Sequence, residues 1–225
     1  QLFIALKKKM MIIQEMFKSK RINTLTVSTV CLLLTLFQYS CQTNTPSKRI
    51  TIASSGKVNS LDPARANTLK ALQLISSLGD TLYELDNDGE LIPKLASKMP
   101  VISKDKLKIS ISLKKNILFH DGTPFDSKAM KFTIERFQRI GTNNYILDKK
   151  IKSIETPNKN TLIINLNKPA SSLEGLLTSV NLTAISPSFY KNHIDKFLNN
   201  NFVGTGQYVL KSFSNEVQIL DPNLN

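Results

Sequence analysis

The sequence has no tryptophan, and only two cysteines, two histidines and eight glycines in 225 residues. Two cysteines cannot build a disulfide framework or a zinc site made from cysteine pairs. Two histidines are too few for a metal centre that needs three or four ligands, even with Asp195 close to His193. Acidic residues are also scarce, 17 against 30 Lys and Arg, for a formal net charge of +13. Such an excess suits nucleic acid, an anionic membrane or acidic ligands. No aromatic ladder, zinc finger or glycine-flanked basic helix accompanies it, so nucleic acid is not an expected partner. What remains is ordinary for a folded chain: 41% hydrophobic and 21% charged residues, with no internal repeat. The length allows one large domain or two small ones.

The charge is unevenly placed. Residues 1–49 carry eight basic residues against the single acid Glu15, a net +7, and the rest of the chain carries a scattered +6. Residues 22–47 hold no charge, and their apolar centre, Leu25 to Phe37, is 13 residues long. A helix crossing a bilayer needs about 20. Thirteen, preceded by Lys18, Lys20 and Arg21, matches the apolar region of a secretory signal. Met16 is the expected start of that signal, which runs over 16–40, with 1–15 as an upstream extension and 41–49 as a polar tether. Ser40-Cys41 at its end resembles a bacterial lipoprotein site, in which the cysteine is lipidated and begins the mature chain. Gln38 stands where an aliphatic residue is usual, so ordinary cleavage nearby and an uncleaved anchor stay open as alternatives. Cys31, inside the apolar run, reads as a small hydrophobe. Cleavage before Cys41 leaves a net charge of +8.

Beyond the tether, Ile50 to Ala53 reads as a short strand and Asp62-Pro63 as a turn. A helix is expected from about Asn67, with Leu69, Leu72, Ile75, Leu78 and Leu82 on one face. Asp86 to Gly89 is a turn; it lacks the bidentate glutamate of a calcium loop, Ser97 standing at the twelfth position. Leu107 to Leu113 alternates strictly, placing Leu107, Ile109, Ile111 and Leu113 on a core face. A helix follows over Ser127 to Ile140, capped by Asp126, striped by Met130, Ile134 and Phe137, and ended by Gly141. Ile151 to Thr156 and Thr161 to Leu166 form a hairpin around Pro157 to Asn160. Ser171 and Glu174 have capping-box spacing. Gln207 to Leu210 and Val217 to Leu220 read as strands. Irregular alternation of strands and helices indicates a mixed α/β protein.

Candidate chemistry is sparse. His120 and Asp121 are adjacent, so their side chains diverge and cannot form the base-and-orienter pair of a triad. No Gly-x-Ser-x-Gly string is present. Gly204-Thr205-Gly206 would cradle an anion only if it opened a helix, and a strand follows it; a tight chain reversal is the simpler reading. The residues alone therefore describe an exported α/β protein with no catalytic residues, metal or cofactor.

The connectors carry more. Leu61-Asp62-Pro63-Ala64, Tyr83-Glu84-Leu85, and Asp88-Gly89-Glu90-Leu91-Ile92-Pro93-Lys94-Leu95-Ala96 occur in that order. Phe119-His120-Asp121-Gly122-Thr123-Pro124-Phe125, Glu135-Arg136-Phe137 and Val203-Gly204-Thr205-Gly206-Gln207-Tyr208 follow. Together, over about Lys48 to Asn225, they resemble the peptide- and nickel-type substrate-binding proteins of ABC importers, solute-binding protein family 5. One departure is Gln207, where proline is usual.

The resemblance implies a periplasmic-binding-protein-like type II clamp, two lobes closing on a ligand with a small domain beside the first lobe. Mapped here, 50–82 would begin the first lobe, 83–190 would be the small inserted domain, and 191–225 would return to the first lobe. Only part of the clamp is expected, because family chains are about twice as long or more. The segment Val58, Asn59, Ser60, Leu61 and Asp62 would form one wall of the ligand cleft. The implied partners are an oligopeptide or similar solute, and the permease and ATPase of an importer at the membrane. The implied location is the periplasm, or a lipid anchor at the outer face of the cytoplasmic membrane. A nickel complex, opine, sugar or haem remains open as the ligand, since one fold hosts several. An exported hydrolase using His120 or His193, and a lipoprotein without a ligand, remain as readings of other classes. One jaw of a clamp cannot exclude water from both faces of a ligand, so these residues by themselves are expected to bind peptide too weakly to measure and to aggregate through an exposed lobe edge.

Overall fold

The computed structural model describes residues 50–53, 55–147, 149–169, 173–192 and 201–224. The signal, the tether with Cys41, the cap at Ser171, His193 and Asp195 lie outside the described residues. The chain divides into two units, 1–52 and 53–225. In the first, 50–52 has no regular secondary structure. The strand expected over Ile50 to Ala53 is therefore not formed. A strand needs a partner, and among the described residues none pairs with this segment.

The second unit is built around two hydrophobic clusters. The larger lies under a four-stranded antiparallel sheet of order β3-β4-β6-β5, formed by Val101–Ile102 (β3), Lys108–Ser112 (β4), Ile151–Asn158 (β5) and Thr161–Leu166 (β6). The register sets Ile109 opposite Ile164 and Ile111 opposite Leu162, so alternate residues of both strands enter the core. Leu107 is only half-buried, and Leu113 continues the buried row beyond the end of β4. β5 runs past the expected turn to include Pro157 and Asn158. Proline is tolerated there because β5 is an edge strand, and the register shifts between Glu155 and Asn158.

Helix α2 (Ser127–Ile140) packs on β5 and β6. Asp126 accepts from the Ala129 amide at its first turn, and the Gly141 amide donates to Phe137 at its end, as the sequence suggests. Its buried face carries Met130, Ile134 and Phe137, and also Thr133 and Arg136. Ahead of the sheet, Tyr83–Leu85 (β1) and Leu91–Pro93 (β2) form a hairpin. Its turn is closed by Asp86, whose carboxylate accepts from the amides of Asp88 and Glu90. After the sheet come a short helix α3 (Leu173–Leu176), a 3-10 turn at Val180–Leu182 and helix α4 (Pro187–Asn192).

The smaller cluster joins residues distant in sequence. Helix α1 (Leu69–Leu78) buries Ala71, Ile75 and Leu78, which meet Val58, Leu61, Ala66 and Phe202. Leu210 and Phe213 of β7 (Tyr208–Phe213) and Leu220 of β8 (Gln218–Pro222) pack against it partly buried. The helix face differs from the leucine stripe expected. Leu69 is 73% exposed and Leu82 lies beyond the helix in the larger cluster. The row Ala71, Ile75, Leu78 has spacings of four and three, and alanine at its head let the helix approach closely without signalling as a large apolar residue.

Candidate functional site

Two junctions between the clusters hold the residues singled out by the sequence. The first is the segment from Val58 to Thr68. Of its five cleft candidates, Val58, Ser60, Leu61 and Asp62 are buried and Asn59 is exposed. The Asn59 side chain ties the segment into a loop. Its amide nitrogen donates to the Arg65 carbonyl at 3.0 Å, and its oxygen accepts from the amides of Asn67 and Thr68, both at 3.2 Å. Inside that loop Asp62 accepts from the Ala64 amide, while its own carbonyl accepts from the amides of Arg65 and Ala66.

Asp62 also makes the longest-range ionic contact in this region. Arg136 of α2 donates Nη1 to Oδ1 at 2.6 Å and Nη2 to Oδ2 at 2.7 Å, with both side chains almost fully buried. The two planar groups meet fork to fork, the geometry that best offsets the cost of removing both charges from water. The guanidinium also lies 5.2 Å from the centre of the Tyr190 ring. Burial pushes the Tyr190 phenol well above its ordinary range, and the Asp62 carboxylate adds to that. In this arrangement Leu61 and Asp62 face the protein interior, and the outward parts of the loop are its backbone and Asn59.

Arg136 and the other residues that hold this loop were not recognisable as functional from the connector strings alone. A signal did exist. Ala129, Thr133 and Arg136 fall at spacings of four and three on the buried face of α2, so a charge was placed where only a paired charge is tolerated.

The second junction joins His120 to the Gly204–Gly206 string. The His120 amide donates to the Gly204 carbonyl at 2.9 Å. Its ring stands between two further backbone groups, Nε2 at 3.1 Å from the Gly206 carbonyl and Nδ1 at 3.4 Å from the Gly204 amide. A carbonyl only accepts and an amide only donates, so the ring is neutral with its proton on Nε2. Burial lowers the His120 pKa, against the opposing pull of the Gly206 carbonyl and the Asp80 and Asp121 carboxylates. Asp121 turns elsewhere, accepting from the hydroxyls of Ser186, Ser188 and Thr123. Burial raises its pKa, but those hydroxyls and the Thr123 amide outweigh that and hold it below the usual carboxylate range. His120 and Asp121 are thus engaged with different partners, as their adjacency implies.

The string lies in a bend over 205–207, and its glycines also serve close packing. Neither Gly204 nor Gly206 has a positive φ. Instead the Gly206 amide donates to the Leu78 carbonyl at 3.1 Å, and a Cβ on Gly206 would lie 2.6 Å from the Gly79 nitrogen. Close backbone approach to the end of α1 is what excludes a side chain there.

A cavity of about 270 Å³ opens beside this junction, lined among others by His120, Asp121, Phe202 and Lys211. None of the five loop candidates lines it. Among the described residues no group of three or more His, Cys, Asp or Glu is placed to hold a metal, and no helix is long and apolar enough to cross a membrane.

The described elements are a mixed α/β arrangement with the fold of type II periplasmic-binding-protein-like solute binders, present in part. The family model for bacterial extracellular solute-binding proteins, family 5 middle region, matches residues 90–223, and the chain belongs to that family. A curated relative, the glutathione-binding protein GsiB of Escherichia coli, is 29% identical over 170 residues, covering 75% of this chain and 33% of its own. The chain therefore spans about a third of the length of the curated relatives it matches. Among solved structures, NikZ from Campylobacter jejuni in complex with Ni(L-His) is 26% identical with a TM-score of 0.70, covering 79% of this chain and 36% of that one. OppA of Listeria monocytogenes bound to peptide shares the fold at 21% identity, with a TM-score of 0.69 over 76% of this chain and 38% of that one.

Proposed function

We propose that the chain is part of the extracytoplasmic substrate-binding component of an ABC importer, which captures oligopeptides or similar solutes and delivers them to a permease and its ATPase. The observation that carries this reading is the family match over 90–223, most of the described unit. In this reading 83–190 is the small inserted domain, and 50–82 with 191–225 belong to the first lobe. The grouping of Val58, Leu61 and α1 with Phe202, β7 and β8 in one cluster supports that division. The segment Val58–Asp62 forms one wall of the cleft. Because Leu61 and Asp62 point inward, ligand contact falls to the loop backbone and the Asn59 edge. The protein acts without catalysis, and the engagement of both His120 ring nitrogens by backbone groups supports this, since no free base remains there.

Calorimetric titration of the protein carrying this chain with glutathione, a panel of tri- to pentapeptides and a nickel–histidine complex tests the reading. Micromolar binding of a peptide supports it. Binding of the nickel complex alone favours the second ligand class, for which the NikZ likeness is the supporting observation. Peptide hydrolysis that is lost in a His120→Ala, His193→Ala double variant overturns the binding reading in favour of an enzyme. Export through the signal over 16–40 places the protein in the periplasm or, by lipidation of Cys41, at the outer face of the cytoplasmic membrane. Palmitate labelling that persists unchanged in Cys41→Ala rules out the lipid anchor.

A further inference from the structure

The loop from Asn59 to Thr68 is held from outside as well as from within. We infer that Arg136, Thr142 and Asn181 are positioning residues that fix this loop in one conformation, making the four-stranded-sheet region a buttress for the proposed ligand wall. The inference rests on the cleft-wall reading given above for its functional meaning, and on the following contacts for its geometry.

Three separate elements reach the loop. Arg136 on α2 grips the Asp62 carboxylate with two parallel hydrogen bonds. Just past the end of α2, the Thr142 amide donates to the Ala64 carbonyl at 2.9 Å and its hydroxyl to the Arg65 carbonyl at 3.3 Å. From the 3-10 turn, the Asn181 side-chain nitrogen donates to both the Pro63 carbonyl at 2.6 Å and the Ala66 carbonyl at 2.9 Å. Five consecutive residues, Asp62 to Ala66, thus each give at least one acceptor to a side chain or amide more than 70 positions away.

Such a pattern is unusual for a loop that only connects two elements. A connector needs its own turn bonds, which Asn59 and Asp62 already supply. External donors on the four carbonyls from Pro63 to Ala66 and on the Asp62 carboxylate restrict the remaining freedom of the backbone. A wall that contacts its ligand through backbone groups gains affinity from that restriction, because ordering the loop is not charged against each binding event. The alternative, a merely structural bolt between two clusters, would need Asp62 and Arg136 but not the separate Asn181 and Thr142 donors.

Amide hydrogen exchange on the protein carrying this chain separates the two. The informative amides are those of Ala64, Arg65, Ala66, Asn67 and Thr68, all hydrogen-bonded within the loop. Asn181→Ala removes two hydrogen bonds at a partly exposed position, and exchange at these amides should rise about ten-fold while amides of β4 and β6 stay within about two-fold. Arg136→Lys keeps the charge but not the fork, and should raise the same amides further. Unchanged loop exchange in Asn181→Ala overturns the inference, and so does a rise spread equally over loop and sheet, which would mark general destabilisation. The second arm measures affinity of the protein carrying this chain for glutathione or for the tightest-binding peptide of the panel. A several-fold loss in Asn181→Ala at unchanged thermal midpoint supports the positioning role. A loosened loop with unchanged affinity overturns the cleft-wall reading on which the inference depends, while leaving the exchange result to show that the loop itself is held as described.

Discussion

The two hydrophobic clusters of the described unit are built on opposite plans. The larger draws nearly all its buried residues from one stretch, Leu82 to Ala184, and closes over them with a four-stranded sheet and α2. The smaller is assembled from both ends of the unit, and its strands β7 and β8 pair only with each other among the described residues. In β4 and β6 alternate residues are almost completely buried, whereas the apolar residues of β7 and β8 are half-buried or, like Tyr208 and Ile219, exposed. A two-stranded sheet covered on one side gains little on its own. The larger cluster therefore supplies stability, and the smaller depends on the two junctions that attach it: Asp62 with Arg136, and His120 with Gly206.

The sharpest test acts on the first junction. Arg136→Met leaves the Asp62 carboxylate buried without its partner, and should cost about 3–5 kcal/mol in urea unfolding. The double variant Asp62→Leu, Arg136→Met removes both charges and should recover most of that loss. If the single variant is neutral, the junction does not tie the two clusters together and the comparison fails.

Next is a direct contrast between the clusters. Ile111, fully buried opposite Leu162, should cost about 2–5 kcal/mol on replacement by alanine. Leu220, partly buried in β8, should cost roughly 1 kcal/mol for the same deletion. Equal costs would show that the smaller cluster is as well packed as the larger.

Gly206→Ala probes the second junction through sterics alone. The added methyl meets the backbone at Leu78–Gly79, which cannot swing aside as a side chain would. A loss of about 1–3 kcal/mol is expected, with β7 and β8 amides exchanging faster than those of the four-stranded sheet. A neutral result would mean that the return strand is not seated on the end of α1.

These contrasts also explain what was legible in the sequence. Where one local signal decided the outcome, reading was straightforward: Asp126 and Gly141 bound α2, strict alternation marked β4, and the hairpin partners of β5 and β6 were plain. Reading failed where partners were distant. The expected strand at Ile50 had no local feature against it; only the missing neighbour decides. Leu69 looked like core because leucine dominates a periodicity count, while Ala71 holds the buried position. β3, two exposed residues paired to β4, had no pattern of its own. In the loop, Val58 to Asp62 stand out only by resemblance, and the partners that hold it lie 74 to 118 residues from their contacts; the spacing along α2 hints at a buried charge at Arg136, but nothing local announces Thr142 or Asn181.

The smallest expected effect is a pH dependence localised at His120. Its ring is held neutral, with Nδ1 accepting from the Gly204 amide, so a proton added there would face another N–H and end that hydrogen bond. Burial is the main reason its pKa is lowered in the fold, with the Asp80 and Asp121 carboxylates acting in the opposite direction. The unfolded chain takes up this proton near the ordinary histidine value of 6.5, the folded chain only at lower pH. Between those two points the unfolded state binds more protons, so stability should fall as the pH drops below about 6.5 and level off once the folded ring is also protonated. Above that range the group contributes no pH dependence. Urea midpoints at pH 7.5 and 5.5 should therefore differ, and His120→Gln, whose side-chain amide can still donate to the Gly206 carbonyl, should remove the difference. If the slope survives that substitution, the proton belongs to another group, and the junction at Gly204–Gly206 is held by sterics and backbone hydrogen bonds without a contribution from the neutral ring.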